Sequence, residues 1–199
     1  MASRKRKPRV AYQGERGAYS EDAVAQIFGD GVEPLPCLEF RDAFEAVDTG
    51  KATHAVLPVE NSIEGTVAQV NDLLIEHDLT VTGEAIVSVD HCLIANPKSE
   101  IEDVRVVYSH PLALGQCRRF LARHPEWRQI PTYDTAGSVK MIKERARKDE
   151  AAIASRRSAA IYGMKVLAEG IQTDHENYTR FFVLEKHPRK VVEIGRAHV

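Results

Sequence analysis

The feature that most constrains this chain is its rhythm: short apolar runs of strand length alternate with amphipathic helical stretches, with polar turns between them. Residues 9–13 alternate into a turn at 14–17, and Ser20 then precedes Val24, Ile27 and Phe28 at helical spacing. Residues 39–49 place Phe40, Phe44 and Val47 on one helical face, with Gly50 as the residue after the C-cap. The apolar run 55–59 follows as a buried strand, and Pro58 near its end is tolerable because the missing N–H falls where pairing stops. Val67, Val70, Leu73 and Leu74 then form an amphipathic helix ending near His77.

The rhythm changes at 79–94, one β-prone stretch longer than the usual strand of about 3 to 10 residues. Such a run is expected to bend or to pass from one lobe to another, with a boundary near 86–89. Alternation resumes beyond Pro97: strand 104–109, helix 112–123, strand 130–133, helix 137–147, strand 151–154 and a short helix capped by Ser155. A polar loop around Gly170 leads into a last strand, 179–184, expected to return to the first lobe. The pattern predicts an α/β fold of two lobes, each a mostly parallel sheet flanked by helices. The first lobe takes residues 9–86 plus 171–187 and the second 87–170, with tails at 1–8 and 188–199.

Composition narrows the function classes. The 199 residues are 43% apolar and 28% charged, with a net charge of -2, so no general positive field attracts nucleic acid. The one basic run, Arg4 to Lys7, reads as a solvated starting tail, and residues 195–199 follow no periodic pattern. Three cysteines without CxxC spacing argue against a disulfide framework and for a reducing compartment. No apolar stretch nears the roughly 20 residues of a membrane helix, and no signal-peptide core follows the basic start, so a cytoplasmic location is expected. P-loop, complete GxGxxG, HExxH and GxSxG motifs are absent, so phosphoryl transfer, dinucleotide binding, zinc proteolysis and esterase chemistry gain no support; no cofactor or metal is expected.

In open α/β sheets ligands sit beyond the carboxyl ends of strands, which here means the turns at 60–65, 109–116 and 134–138. Glu60, Asn61, Ser62, Glu64 and Thr66 pack carboxylates, an amide and two hydroxyls between a strand and a helix start, where free N–H groups would meet an anion. A plain helix cap from Ser62 or Thr66 explains the same residues about equally well. Ser109, His110 and Pro111 also join a strand to a helix; His110 is a candidate polar contact and Gln116 can donate to a carboxylate, although a lone histidine there is more often an ordinary polar group. Cys117 reads as a small buried apolar side chain. Asp134, Thr135, Ala136, Gly137 and Ser138 form another turn through which backbone N–H groups could approach an anion, or a simple cap. The run 177–182 sets the Thr179 hydroxyl beside the Arg180 guanidinium and Phe181; Arg grips carboxylates bidentately, and the plain alternative is a strand with Arg180 solvated.

Taken in order, Gly17-Ala18-Tyr19-Ser20, Glu60-Asn61-Ser62 with Gly65-Thr66, Ser109-His110-Pro111, Gln116-Cys117, Ala151-Ala152-Ile153-Ala154-Ser155 and Thr179-Arg180-Phe181 closely resemble the catalytic domain of prephenate dehydratases, over roughly residues 9–186. The resemblance implies a periplasmic-binding-protein type II fold with the active site between two lobes, a small dicarboxylate substrate and a homo-oligomer. It implies that Thr179 is the residue most tied to dehydration, and that Asn61, Ser62, Gln116 and Arg180 hold or orient the substrate. The family commonly continues into a regulatory ACT domain, which the residues after the Thr179 strand are too few to contain.

The expected chemistry is loss of CO₂ and the ring hydroxyl from prephenate, which makes the ring aromatic. Thr179 is the expected hydrogen-bond donor to the departing hydroxyl, and Glu60 is the alternative acid if burial keeps it protonated. Arg180 is expected to take the pyruvyl carboxylate, helped by N–H groups at the helix starts after Ser62 and Asp134. Arogenate, which bears an amino group in place of the side-chain keto group, is the near alternative substrate. A solute-binding module without turnover is the more distant one.

Overall fold

The computed structural model describes residues 7–186. Strand β1 (Arg9–Gln13) leads through the glycine turn into helix α1 (Tyr19–Phe28). Gly17 has φ +90°, and a Cβ there would lie 2.8 Å from Ser158 Cα, so this turn presses against a distant segment only as glycine. The buried Glu21 carboxylate accepts hydrogen bonds from Gly17 N at 2.6 Å, Arg16 Nε at 3.0 Å and the Tyr12 hydroxyl at 3.2 Å, closing the turn onto its strand. Strand β2 (Glu33–Cys37) carries two prolines and runs at the sheet edge, which explains why its pattern did not read as a strand. Helix α2 (Phe40–Asp48) starts in a capping box between Glu39 and Asp42 and buries Phe44 and Val47 as the spacing predicts.

Strand β3 (His54–Asn61) runs two residues past the expected end and folds back into β4 (Gly65–Thr66), with Glu60 opposite Thr66. Helix α3 (Ala68–Glu76) therefore begins later than expected, at an uncapped Val67, and neither Ser62 nor Thr66 caps it. The long β-prone stretch divides into β5 (Thr80–Ser88) and β6 (Cys92–Ala95), and the chain crosses between lobes through residues 89–91. The second lobe continues with β7 (Val106–Ser109), α4 (Pro111–Gln116), α5 (Arg118–Leu121), β8 (Arg128–Pro131), α6 (Thr135–Arg145), β9 (Glu150–Ala154) and α7 (Arg156–Tyr162). The single helix expected over 112–123 is broken at Cys117, and the edge strand β10 (Lys165–Ala168) was not foreseen. Ser155 caps α7, its hydroxyl accepting from Ser158 N.

The return to the first lobe comes later than residue 171, because Ile171 packs in the second lobe's core. The chain regains the first sheet at β11 (Tyr178–Glu185). Sheet order is β2-β1-β3-β11-β5, with β4 on β3, in the first lobe and β10-β6-β9-β7-β8 in the second. This is a two-lobed α/β layout, but both sheets are mixed rather than mostly parallel. The cause is the crossing: β11 enters antiparallel to β3 and β5, and β6 enters antiparallel to β9 and β10. Separate apolar cores hold each lobe, one built around Phe44, Leu57 and Leu184 and one around Leu93, Leu121 and Ile153. Among the described residues no helix is long and apolar enough to cross a membrane.

Candidate active site

A cavity of about 600 Å³ opens between the lobes. All three turns singled out in the sequence reach it: Asn61 and Thr66 from the first, His110 and Gln116 from the second, and Asp134 and Thr135 from the third, joined by Thr179 from β11. The sheet ladder places Thr179 directly opposite Asn61, so their proximity is fixed by strand register.

The Asn61 carboxamide is oriented by backbone. Its Oδ1 accepts from Ile63 N at 2.9 Å and Glu64 N at 3.0 Å, which turns Nδ2 toward Thr179 Oγ1 at 3.0 Å and Asn177 Oδ1 at 2.8 Å. Thr179 is 9% exposed and its oxygen already accepts from Asn61, so its own O–H is left to donate into the cavity. Gln116, at the end of α4, joins the lobes: its Oε1 accepts from Asn177 Nδ2 at 3.1 Å and lies 2.8 Å from His91 Nε2. His91 and Tyr19 also line the cavity and were not singled out as site residues from the sequence. The available signal for His91 was the polar pair Asp90-His91 interrupting an otherwise β-prone run.

The second lobe presents helix starts. His110 caps α4, its Nδ1 accepting from Leu112 N at 3.3 Å. Asp134 caps α6 by accepting from Gly137 N at 2.6 Å, with Thr135 at the first helical position. Burial pushes the Asp134 carboxyl above its ordinary value, opposed by the hydrogen bond from Gly137. No Lys or Arg occurs among the described lining residues, while Glu64 and Asp134 do.

Six expected site residues fall outside the cavity wall. Arg180 points to the opposite face of β11, where it donates to Glu84 at 2.8 Å and sits over the Phe182 ring, so it is not placed to grip a carboxylate in the cleft. The reason is the period of a strand: if Thr179 faces the cleft, its neighbour faces away. Glu60 is turned outward by the same rule, exposed beside Asn61, and is not placed to act as the acid. Ser62 donates to Glu176 O and accepts from Tyr178 N, both at 2.9 Å, tying the β3–β4 hairpin to the segment before β11. Ser109 is buried and donates to Ile153 O at 2.6 Å. Ala136 is fully buried in α6, and Phe181 belongs to the core beneath α1 with Val10 and Val24.

The lobes are also bridged beside the cavity. Glu15 meets Lys140 Nζ at 3.2 Å and accepts from the Tyr133 hydroxyl at 3.1 Å. Gly17 O accepts from both Ser155 and Ser158 hydroxyls, at 2.7 and 2.8 Å. Cys92 and Cys117 are buried, and desolvation pushes their thiols up to about 11 and about 12, which fits structural rather than nucleophilic roles.

Residues 10–189 match the family described as prephenate dehydratase. The chain is 46% identical over 180 residues to arogenate dehydratase/prephenate dehydratase 2, chloroplastic, of Arabidopsis thaliana, covering 90% of this chain and 47% of that protein. The chain thus spans about half the length of the curated relatives it matches. The crystal structure of prephenate dehydratase in complex with L-Phe from Arthrobacter aurescens superposes with a TM-score of 0.83 at 31% identity, covering 90% of this chain and 60% of that one. A structure described as GqqA, a novel type of quorum quenching acylase, superposes at 0.84 with 34% identity, covering 92% and 66%. With the family match spanning nearly all the described residues, the chain belongs to the prephenate dehydratase family.

Proposed function

We propose that this chain carries out the decarboxylative dehydration of prephenate to phenylpyruvate, in the formation of phenylalanine. The observation that carries this reading is the Thr179 hydroxyl, held by Asn61 so that its proton is free for a group in the interlobe cavity. In the reaction the bond from ring to carboxylate breaks and CO₂ leaves. Its electron pair enters the ring, the C–O bond to the ring hydroxyl breaks, and the hydroxyl departs as water after taking one proton. The protein has to orient these groups and stabilise the leaving oxygen. Thr179 supplies a hydrogen bond that strengthens as negative charge develops; full proton transfer from an alcohol this weakly acidic is the poorer account.

Carboxylate binding falls to neutral donors in this reading: the Gln116 amide, the Thr66 and Thr135 hydroxyls, and N–H groups in the first turn of α6. The test is to mix the purified chain with prephenate and follow phenylpyruvate by ultraviolet absorbance. Product and CO₂ should form in equal amounts. Absence of turnover with both prephenate and arogenate would sink the proposal.

One observation favours arogenate as a second substrate. The wall holds carboxylates at Glu64 and Asp134 and no described Lys or Arg, which suits a side chain bearing an ammonium better than one bearing a neutral keto group. Comparing kcat/KM for the two substrates decides the order of preference. The same reading includes a compartment that keeps thiols reduced, as the cytoplasm does, supported by three free cysteines. It also includes a homo-oligomer, which light scattering after size exclusion tests.

A further inference from the structure

The hydrogen bonds behind the cavity form one chain whose direction is set at a single end. Backbone N–H groups of Ile63 and Glu64 hold Asn61 Oδ1, so its Nδ2 must face Asn177 Oδ1. Asn177 then has only its Nδ2 to present to Gln116, and the atom of Gln116 that receives it is the oxygen. That oxygen lies 2.8 Å from His91 Nε2, which has to carry the proton. Nδ1 is then left bare, 2.9 Å from the Tyr19 hydroxyl, whose one proton is shared between it and Asp90 O at 2.8 Å. Reversing any member sets two donors or two acceptors face to face and leaves buried polar groups unsatisfied.

We propose that His91, as its Nε2–H tautomer, is a positioning residue that fixes the Gln116 carboxamide with its oxygen in the network and its NH₂ group turned to the cavity. The surroundings of His91 match this role. The ring is 2% exposed, lies edge-on to Tyr19 at 80°, and is anchored through its backbone N to Gln172 Oε1 at 2.9 Å. Burial lowers its pKa, which keeps the ring neutral with one proton to place. The bare face of Gln116 is its Nε2, which donates to Glu64 Oε1 at 3.4 Å, a weak partner that a substrate oxygen can replace. His91 sits in the crossing between β5 and β6, so it links a side chain of the second lobe to strands of the first. The kinetic part of the proposal rests on the dehydratase reading; the tautomer does not.

The test joins a spectrum to a double-mutant cycle on the full chain. Imidazole ¹⁵N spectra near neutral pH are expected to give a protonated Nε2 and a bare Nδ1 for His91; a protonated Nδ1 overturns the proposal. His91→Phe, which keeps a ring and loses the donor, should lower kcat/KM by about 10-fold or more, mainly through KM, and His91→Gln, whose amide N–H reaches a similar point, should restore part of it. In a Gln116→Ala background the effect of His91→Phe should shrink to near nothing. An undiminished effect there, or wild-type kcat/KM in His91→Phe, overturns the proposal by making His91 merely structural or idle. If the wild-type chain turns over neither substrate, the dehydratase reading falls, and the spectrum still decides the tautomer.

Discussion

The two lobes meet the cavity in different ways. The first presents side chains from neighbouring strands, Asn61 on β3 and Thr179 on β11, whose separation is set by a ladder of backbone hydrogen bonds. The second presents the starts of helices: His110 on α4, then Asp134 and Thr135 on α6. A strand pair holds two groups to each other with little freedom, whereas a helix start offers N–H groups and a partial positive charge but depends on the rest of the lobe for its distance from the reacting atoms. On the proposed reading, chemistry falls to the first lobe and substrate capture to the second. Gln116 and the crossing residue His91 couple the two.

The division is broken or sharpened by substitutions of graded effect. Thr179→Ala should lower kcat by roughly 10²- to 10⁴-fold with an unchanged melting curve, and near-normal turnover would remove the first lobe from the chemistry. Asn61→Ala should act on the same step, and the two substitutions together should cost little more than the larger alone, because they form one unit. On the capture side, Gln116→Ala should cost about 10- to 100-fold in kcat/KM, read from initial rates over a range of substrate concentrations. The bridge between lobes is weaker: Glu15→Gln removes a partly exposed ion pair worth about 0–1 kcal/mol, so KM should change by up to roughly fivefold, and less at high salt. Arg180→Leu should have the smallest effect, with KM essentially unchanged, because the guanidinium lies on the far face of β11. A large rise in KM for that variant would mean that the strand turns over on binding.

The sequence made the elements legible and their facing only partly so. The apolar period located β3, β7 and β8, and the polar turns at their ends proved to be the turns that reach the cavity. It missed β2 and β10, both edge strands, because a strand paired on one side tolerates prolines and shows little apolar pattern. It read Thr179 and Arg180 as partners, since adjacency in sequence carries no information about sheet face unless one residue is already known to point inward. His91 went unmarked because a single histidine gains meaning only from what surrounds it.

From the residues alone came the class of fold, the two lobes, the three turns that reach the cavity and the family likeness, all of which rest on local periodicity or on short ordered motifs. Only the tertiary structure decided that both sheets are mixed, that Asn61 and not Glu60 faces Thr179, and that Arg180 stands outside the cleft. The physical reason is that these outcomes depend on pairing between segments distant in sequence, β6 with β9 in the second sheet and, in the first, β3 with β11 more than a hundred residues away. Strand register, once set by that pairing, determines which of two neighbouring side chains meets the substrate.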